Sequence, residues 1–284
     1  MAASKKSSKK YVANYSEVHR TFHYNASAHA FSGHFTRPVQ HLIEVQAPTA
    51  LPTIGGVGSS RVENFKFKEY VKFDAGYTHV AGSEQREIVK GGKGGIEEKV
   101  IYTTLVTATI ENLNILDVVT ADRIVSRISS YYVDGAPESH FSFLGSKFEN
   151  LHIGGCKADI TLNHDFFAKY RTFAAIKNEL KNEKNEEFRT MAGDPFETGT
   201  PIQLAAGHEV ILCSLVKKMK TDAPDVTTRA HAFVLPHFGR VYLAEAIIDE
   251  CKRTLTMLRL ELGSPIAASG VFAQSVGNGR PWPG

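Results

Sequence analysis

The chain has 284 residues, 42% of them hydrophobic and 22% charged, with a net charge of +3 from 33 basic and 30 acidic side chains. Folding a chain of this mass removes about 33,000 Å² from water, and the composition excludes a disordered, collagenous or disulfide-framework protein. No apolar run approaches the ~18 residues of a membrane-spanning helix, and the charge balance gives no argument for nucleic acid as a partner.

Residues 1–20 read as a basic flexible tail, with Lys5, Lys6, Lys9 and Lys10 in a Lys/Ser run. Without these four lysines the rest of the chain is close to neutral. Tyr11 to Tyr24 is polar and carries Glu17, His19, Arg20 and His23. It therefore lacks the apolar stretch of a secretory signal, and the expected location is cytoplasmic, or outside the cell by a non-Sec route. The three cysteines, Cys156, Cys213 and Cys251, form no CxxC pair, which suits buried free thiols in a reducing compartment.

Residues 21–276 read as a β-rich body. Gln40 to Gln46 has strand character, and Pro48 to Ser60 reads as a loop. Val62 to Phe73 alternates, and Gly91-Gly92-Lys93-Gly94-Gly95 is a turn without the spacing of a phosphate-binding loop. Lys99 to Val133 is the longest β-like region, dense in β-branched residues from Val100 to Ile110. Shorter strands are predicted at His140–Leu144, Lys147–Ile153 and Lys157–Leu162. The period then changes: Phe166, Tyr170, Phe173, Ala174, Lys177 and Leu180 recur at three and four, which predicts one amphipathic helix over about 165–188, N-capped by Asp165. Strands return at Glu209–Val216, Thr227–Leu235, Arg240–Ile248 and Arg253–Leu262. Residues 277–284 read as an irregular C-terminal tail that holds Arg280 and the single Trp282.

Two internal echoes shape the fold prediction. Apolar-Glu-Asn-apolar-x-apolar occurs at Val62–Phe67, Ile110–Ile115 and Phe148–Ile153. Ordinary residue frequencies give on the order of 0.05 such matches in a chain this long. The favoured reading is a bulge or bend that returns apolar residues to the core face, with Asn at positive φ. The alternative is a row of Glu side chains that binds metal or sugar. The second echo is Ala28-His29-Ala30-Phe31 followed by His34, and Ala230-His231-Ala232-Phe233 followed by His237. It suggests a duplicated unit, or end strands paired in one sheet. His29, His34, His231 and His237 are the candidate binding residues; whether they hold a metal stays open, and packed or surface histidines are the favoured reading.

None of GxSxG, HExxH, GxGxxG, CxxC or an EF-hand loop is present, so no catalytic residue and no cofactor is assigned. The runs Val118-Val119-Thr120-Ala121-Asp122-Arg123-Ile124-Val125 and Phe143 to Gly155 resemble the choice-of-anchor P family of bacterial proteins, over about residues 24–163. The resemblance implies a β architecture and a bacterial origin, and no activity.

The predicted fold is therefore mainly β: an antiparallel β sandwich or barrel with internal pseudo-repeats and one inserted amphipathic helix. The predicted role is a non-enzymatic structural or interaction protein. It would self-assemble into a homo-oligomer through β edges and termini, with Trp282 and Arg280 as interface residues. A pore-forming or membrane-acting β protein and a ligand-binding β-barrel carrier or enzyme are the alternatives, the membrane being the less favoured partner.

Overall fold

The computed structural model describes residues 21–90, 96–181, 202–204 and 208–282. The basic tail, the Gly91–Gly95 turn and the last part of the predicted helix, 182–188, lie outside the described residues. In chain order the strands begin with β1 (Thr21–Tyr24), β2 (Ser27–Arg37), β3 (His41–Gln46), β4 (Thr49–Ala50), β5 (Gly56–Phe67), β6 (Val71–Lys90), β7 (Ile96–Ile115) and β8 (Val119–Val133). There follow β9 (His140–Ser142), β10 (Lys147–Glu149), β11 (His152–Ile153), β12 (Cys156–Leu162), then helices α1 (His164–Lys169) and α2 (Phe173–Leu180). The last strands are β13 (Ile202–Leu204), β14 (His208–Ser214), β15 (Val216–Thr221), β16 (Thr227–Arg229), β17 (Ala232–Leu235), β18 (Gly239–Ile248), β19 (Arg253–Leu262), β20 (Ala267–Gly277) and β21 (Gly279–Trp282).

The strands form two large antiparallel sheets, packed as a sandwich and not closed into a barrel. Sheet I has the order β15-β12-β11-β8-β7-β6-β5, with β9 and β10 also on β8. Sheet II has the order β13-β14-β18-β19-β20-β2-β3, with β17 on β18, β16 on β17 and β4 on β2. β20 lies over β7 and β8, and β2 over β6 and β7. The core between them is built from Val106, Ala108, Ile110, Ile124 and Ile128 of sheet I and Phe31, Leu255, Leu258 and Phe272 of sheet II. Phe31 stacks on Phe272 at 4.4 Å. The sheets also meet through polar atoms: Ser126 donates to the Leu255 carbonyl at 3.2 Å, and Ser275 to the Ser126 carbonyl at 3.3 Å.

Each sheet carries a transverse crease, and the Glu-Asn echo is its sequence signature. Asn64, Asn112 and Asn150 have φ of 53°, 53° and 49°. A residue in this region reverses the in–out alternation of its strand. The core-facing positions accordingly step by three at the crease: Val62 to Phe65, Ile110 to Leu113, and Phe148 to Leu151. The intervening strands step at the same level, from Phe73 to Gly76 in β6 and from Ala121 to Ile124 in β8. Because every strand flips together, the pairing resumes in register on the far side. Sheet II repeats the device with alanine, Ala244 in β18 and Ala273 in β20 both having φ of 50°. The two creases approach closely: a Cβ on Gly76 would sit 2.8 Å from that of Ala30, so the contact requires glycine.

Two predicted elements are corrected. The single helix is two helices. Asn163, and not Asp165, accepts from the Phe166 N–H to cap α1, and Thr172 is extended and accepts from the Ala175 N–H to cap α2. The carbonyl of Arg171 is bound by the Phe141 N–H at 2.8 Å, and the Glu138 carboxylate takes the Phe173 N–H at 2.8 Å. These tertiary bonds break the helix at 170–172 although its apolar spacing continues. The C-terminal segment is not irregular either: β21 pairs antiparallel with β1, from Thr21 opposite Trp282 to Tyr24 opposite Gly279.

Candidate functional site

The echo places Glu63, Glu111 and Glu149 on the outer face of sheet I, along the crease. They do not converge. Glu63 pairs with Arg61 at 2.8 Å, and Glu149 pairs with Lys147. Glu111 accepts from the Tyr77 hydroxyl at 3.2 Å, and Tyr77 in turn accepts from Arg123. The asparagines bridge to the next strand, Asn112 to Asp74 at 2.8 Å and Asn150 to Asp122 at 2.6 Å. Shallow cavities of about 430 and 450 Å³ open along this line, beside Asp74 and Asp122 and beside Asn150 and Asp159. Among the described residues no group of three His, Cys, Asp or Glu side chains is placed to hold a metal ion. The crease is thus a line of left-handed asparagines and side-chain bonds that fixes the bend.

The four candidate histidines are likewise not brought together. His29 lies mid-strand in β2, half-buried, with its Nε2 3.2 Å from the Ser32 hydroxyl, and burial lowers its pKa. His34, further along β2, lies opposite Leu42 and Ser269. His231 sits in the tight turn between β16 and β17, after Ala230 at φ 48°, and His237 lies exposed in the next turn at φ 59°. The two Ala-His-Ala-Phe units are therefore not equivalent: one is strand, the other a hairpin turn.

His231 does enter a polar network that the sequence reading missed. Its Nε2 lies 3.1 Å from Glu245 Oε1. Arg259 grips the same carboxylate through Nε at 2.6 Å and Nη2 at 2.8 Å, and lies 3.6 Å over the Tyr242 ring. Tyr242 donates to Glu261 at 3.0 Å. Burial pushes the Glu245 pKa up, but the hydrogen bonds and charges of Arg259 and His231 outweigh it and hold the value at about 2. A carboxylate with both oxygens occupied and so low a pKa is a poor general base; it pins the strands together. Isolated polar residues in apolar strands, Glu245 before Ala246-Ile247-Ile248 and Arg259 between Leu258 and Leu260, were its only signal in the sequence.

The cysteines divide. Cys213 is buried, and burial pushes its thiol up to about 12, which removes it as a nucleophile. Cys251 is exposed, against the expectation of buried thiols. Arg280 is exposed in β21 opposite His23; Trp282 pairs through its backbone, and its side chain lies outside the described residues.

The feature with room for a partner is a ribbon. β6 and β7 pair without interruption from Ala75–Glu111 to Lys90–Ile96. β5 begins only opposite Gly82, and β8 stops opposite Ile101. Beyond both points, from Arg86–Val100 to Lys90–Ile96, the two strands run on as a two-stranded arm of about 16 Å, from five residues at ~3.3 Å each. Phe22 of β1 stacks on Tyr102 at 4.5 Å and covers only the base. The core-side face of the arm carries Glu84, Arg86, Ile88, Glu98 and Val100, and the other face Ser83, Gln85, Glu87 and Lys99. Arg86 pairs with Glu84 at 3.0 Å and Glu98 at 3.5 Å.

Fold and surface together define a creased two-sheet antiparallel β sandwich with a projecting β arm. A family model described as Domain of unknown function (DUF8256) matches residues 22–249, most of the sandwich and the whole arm. The chain belongs to that family. Comparisons with curated proteins and with solved structures found no match.

Proposed function

We propose that this chain is a non-enzymatic structural protein that assembles with further copies of itself through the β6–β7 arm. The observation that carries the reading is the arm. A two-stranded ribbon alone in water is marginal, yet this one keeps full register while both its faces are solvent-exposed at Ser83 to Ile88. A neighbouring molecule that covers it supplies the missing packing. The polar clusters on the sheet faces support the same reading, since their carboxylates are engaged by arginine, lysine, tyrosine or histidine. Membrane insertion of the arm is disfavoured: each face carries charge, Glu84, Arg86 and Glu98 on one and Glu87 and Lys99 on the other, so neither offers an apolar band to lipid.

The test is light scattering after size exclusion, on the full chain and on a variant in which Arg86–Val100 is replaced by Asn-Gly. The turn joins Gln85 to its cross-strand partner Ile101. The full chain is expected to run as an oligomer, and the variant as a monomer with an unchanged circular-dichroism spectrum. A full chain that stays monomeric at high concentration, or an oligomer that survives the truncation, overturns the proposal.

A further inference from the structure

The two ends of the chain meet around a cavity that no residue of the arm or of the creases lines. Its walls come from 23–27, where β1 passes into β2, from 50–53 after β4, from Cys251 in the turn between β18 and β19, and from the start of β21. The Tyr24 N–H donates to the Thr53 carbonyl at 2.9 Å, the Leu51 N–H to the Ala26 carbonyl at 2.8 Å, and the Asn25 N–H to the Asn278 carbonyl at 2.8 Å. Asn278 Nδ2 in turn donates to the Cys251 carbonyl at 3.0 Å. Each wall is bonded to another, so the cavity is formed before anything enters it. Its volume is about 430 Å³, in the range of small-molecule sites.

The lining divides by chemistry. Ala26 and Leu51, both buried, give it apolar surface. Asn25, Ser27 and Thr53 bring side chains that make no hydrogen bond among the described residues. His23 and Arg280 stand opposite each other in the β1–β21 pair, so they share one face of that ribbon. Arg280 is a permanent cation, and among the described residues no aspartate or glutamate lines the cavity. Apolar surface, a few hydrogen-bonding groups and one fixed positive charge are complementary to an organic anion. A planar guanidinium meets a carboxylate through two parallel N–H···O bonds.

We infer that this cavity binds a small organic carboxylate with an apolar body, its carboxylate on Arg280 and its body against Leu51 and Ala26. Inorganic phosphate, which has no apolar body, would use only part of the lining. The site is independent of the assembly reading, because the arm takes no part in it.

Cys251 supplies the reporter. Its thiol is exposed and belongs to the lining, whereas Cys213 is buried and Cys156 half-buried. Dithiobis(nitrobenzoate) and dithiodipyridine both modify a thiol by exchange: the thiolate attacks one sulfur, the S–S bond breaks, and an aromatic thiolate leaves. Only the first reagent carries carboxylates. Outside the cavity it is the disfavoured one, because Asp249 and Glu250 precede Cys251. Modification of Cys251 in the full chain is followed by peptide mass. The rate with the nitrobenzoate reagent is expected to saturate with concentration, and the rate with the pyridine reagent to rise linearly. Unreactive nitrobenzoate should protect Cys251 from the pyridine reagent, and inorganic phosphate at the same concentration should not. Arg280→Gln is expected to slow the nitrobenzoate reagent about tenfold, the loss of one charge-assisted contact. It should leave the pyridine reagent unchanged, which shows at once that the fold and the thiol are intact. A linear rate with the nitrobenzoate reagent in the parent, or no protection by nitrobenzoate, overturns the site. Equal protection by phosphate overturns the ligand class, and an Arg280→Gln variant in which the two rates keep their ratio overturns the role of Arg280.

Discussion

At the scale of single residues, the creases rest on backbone conformations that most side chains avoid. A left-handed conformation costs a residue with a Cβ about 1–2 kcal/mol, and Asn less because its side chain can bond locally. Asn112 gains further from its bond to Asp74 at 2.8 Å, worth about 1 kcal/mol net. Asn112→Ala is therefore expected to lower stability by about 2 kcal/mol, and Asn112→Gly by about half of that, since glycine keeps the backbone freedom and loses only the bond. Urea midpoints compare the two; a glycine variant as damaged as the alanine one would remove the conformational explanation. This much was legible in the sequence, because a thrice-repeated Glu-Asn step has few physical causes. The equivalent crease of sheet II was not, because Ala244 and Ala273 adopt the same conformation without a residue type that announces it.

Glu245 gives the second residue-scale prediction. Its pKa of about 2 in the folded protein lies below the ordinary 4.5. A depressed carboxylate pKa adds stability that is complete above the unfolded value and is lost as pH falls toward the folded one. The window is pH 4.5 down to 2, with an integrated effect on the order of 3 kcal/mol at about 1.4 kcal/mol per unit. Unfolding followed across that window should show stability falling with acid in the parent. In Glu245→Gln the fall should be shallower, from a lower starting point, because Arg259 has lost one of its two carboxylate partners and keeps only Glu261. Equal slopes in the two proteins would mean that Glu245 is not held ionised by Arg259 and His231.

At the scale of elements, hydrophobic pattern found the strands whose core positions are large and missed those whose core positions are small. Arg253–Leu262 was bounded correctly, with Leu255, Leu258 and Leu260 buried at near-regular spacing. β20, sequence Ala267 to Gly277, gave no signal, yet it lies centrally in sheet II between β19 and β2. Its core positions are Gly270, Phe272, Ser275 and Gly277, because the facing sheet is close: a Cβ on Gly277 would lie 3.2 Å from Ile128. The outer half of β6 was missed for the opposite reason. Past Gly82 it has no core to face, so no apolar alternation marks it, and only pairing with β7 keeps it extended. The predicted loop at 48–60 likewise hid the start of β5, whose Val57 and Gly58 belong to an edge. The helix error has the same origin, since bonds from Phe141 to Arg171 and from Phe173 to Glu138 are invisible to local spacing.

At the scale of the whole molecule, the fold is closed by its ends. β2 pairs with β20, and β1 with β21, so strands some 250 residues apart in sequence lie side by side. Phe22, buried, is held between this terminal ribbon and Tyr102 and Tyr132. Asn278, also buried, accepts from Ser139 at 2.7 Å and donates to the Cys251 carbonyl at 3.0 Å. The C-terminal segment, read from sequence as an irregular interface tail, is thus part of the fold, and deleting it would test folding before it tested assembly. Covalent continuity at this point is not needed for the architecture, whereas the strand itself is. A circular permutant that joins Trp282 to Thr21 through Asn-Gly, and opens the chain between the exposed Leu144 and Gly145, is expected to keep the parent's circular-dichroism spectrum and to unfold within about 2 kcal/mol of it, since Thr21 and Trp282 are already opposite each other. Removing residues 279–284 instead should cost more, because exposing Phe22 alone forfeits about 1.5–3 kcal/mol and β1 loses its pairing partner. Denaturant melts of the two chains decide the matter: a permutant that fails to fold, beside a deletion that unfolds at the parent's midpoint, would mean that the terminal ribbon does not close the sandwich.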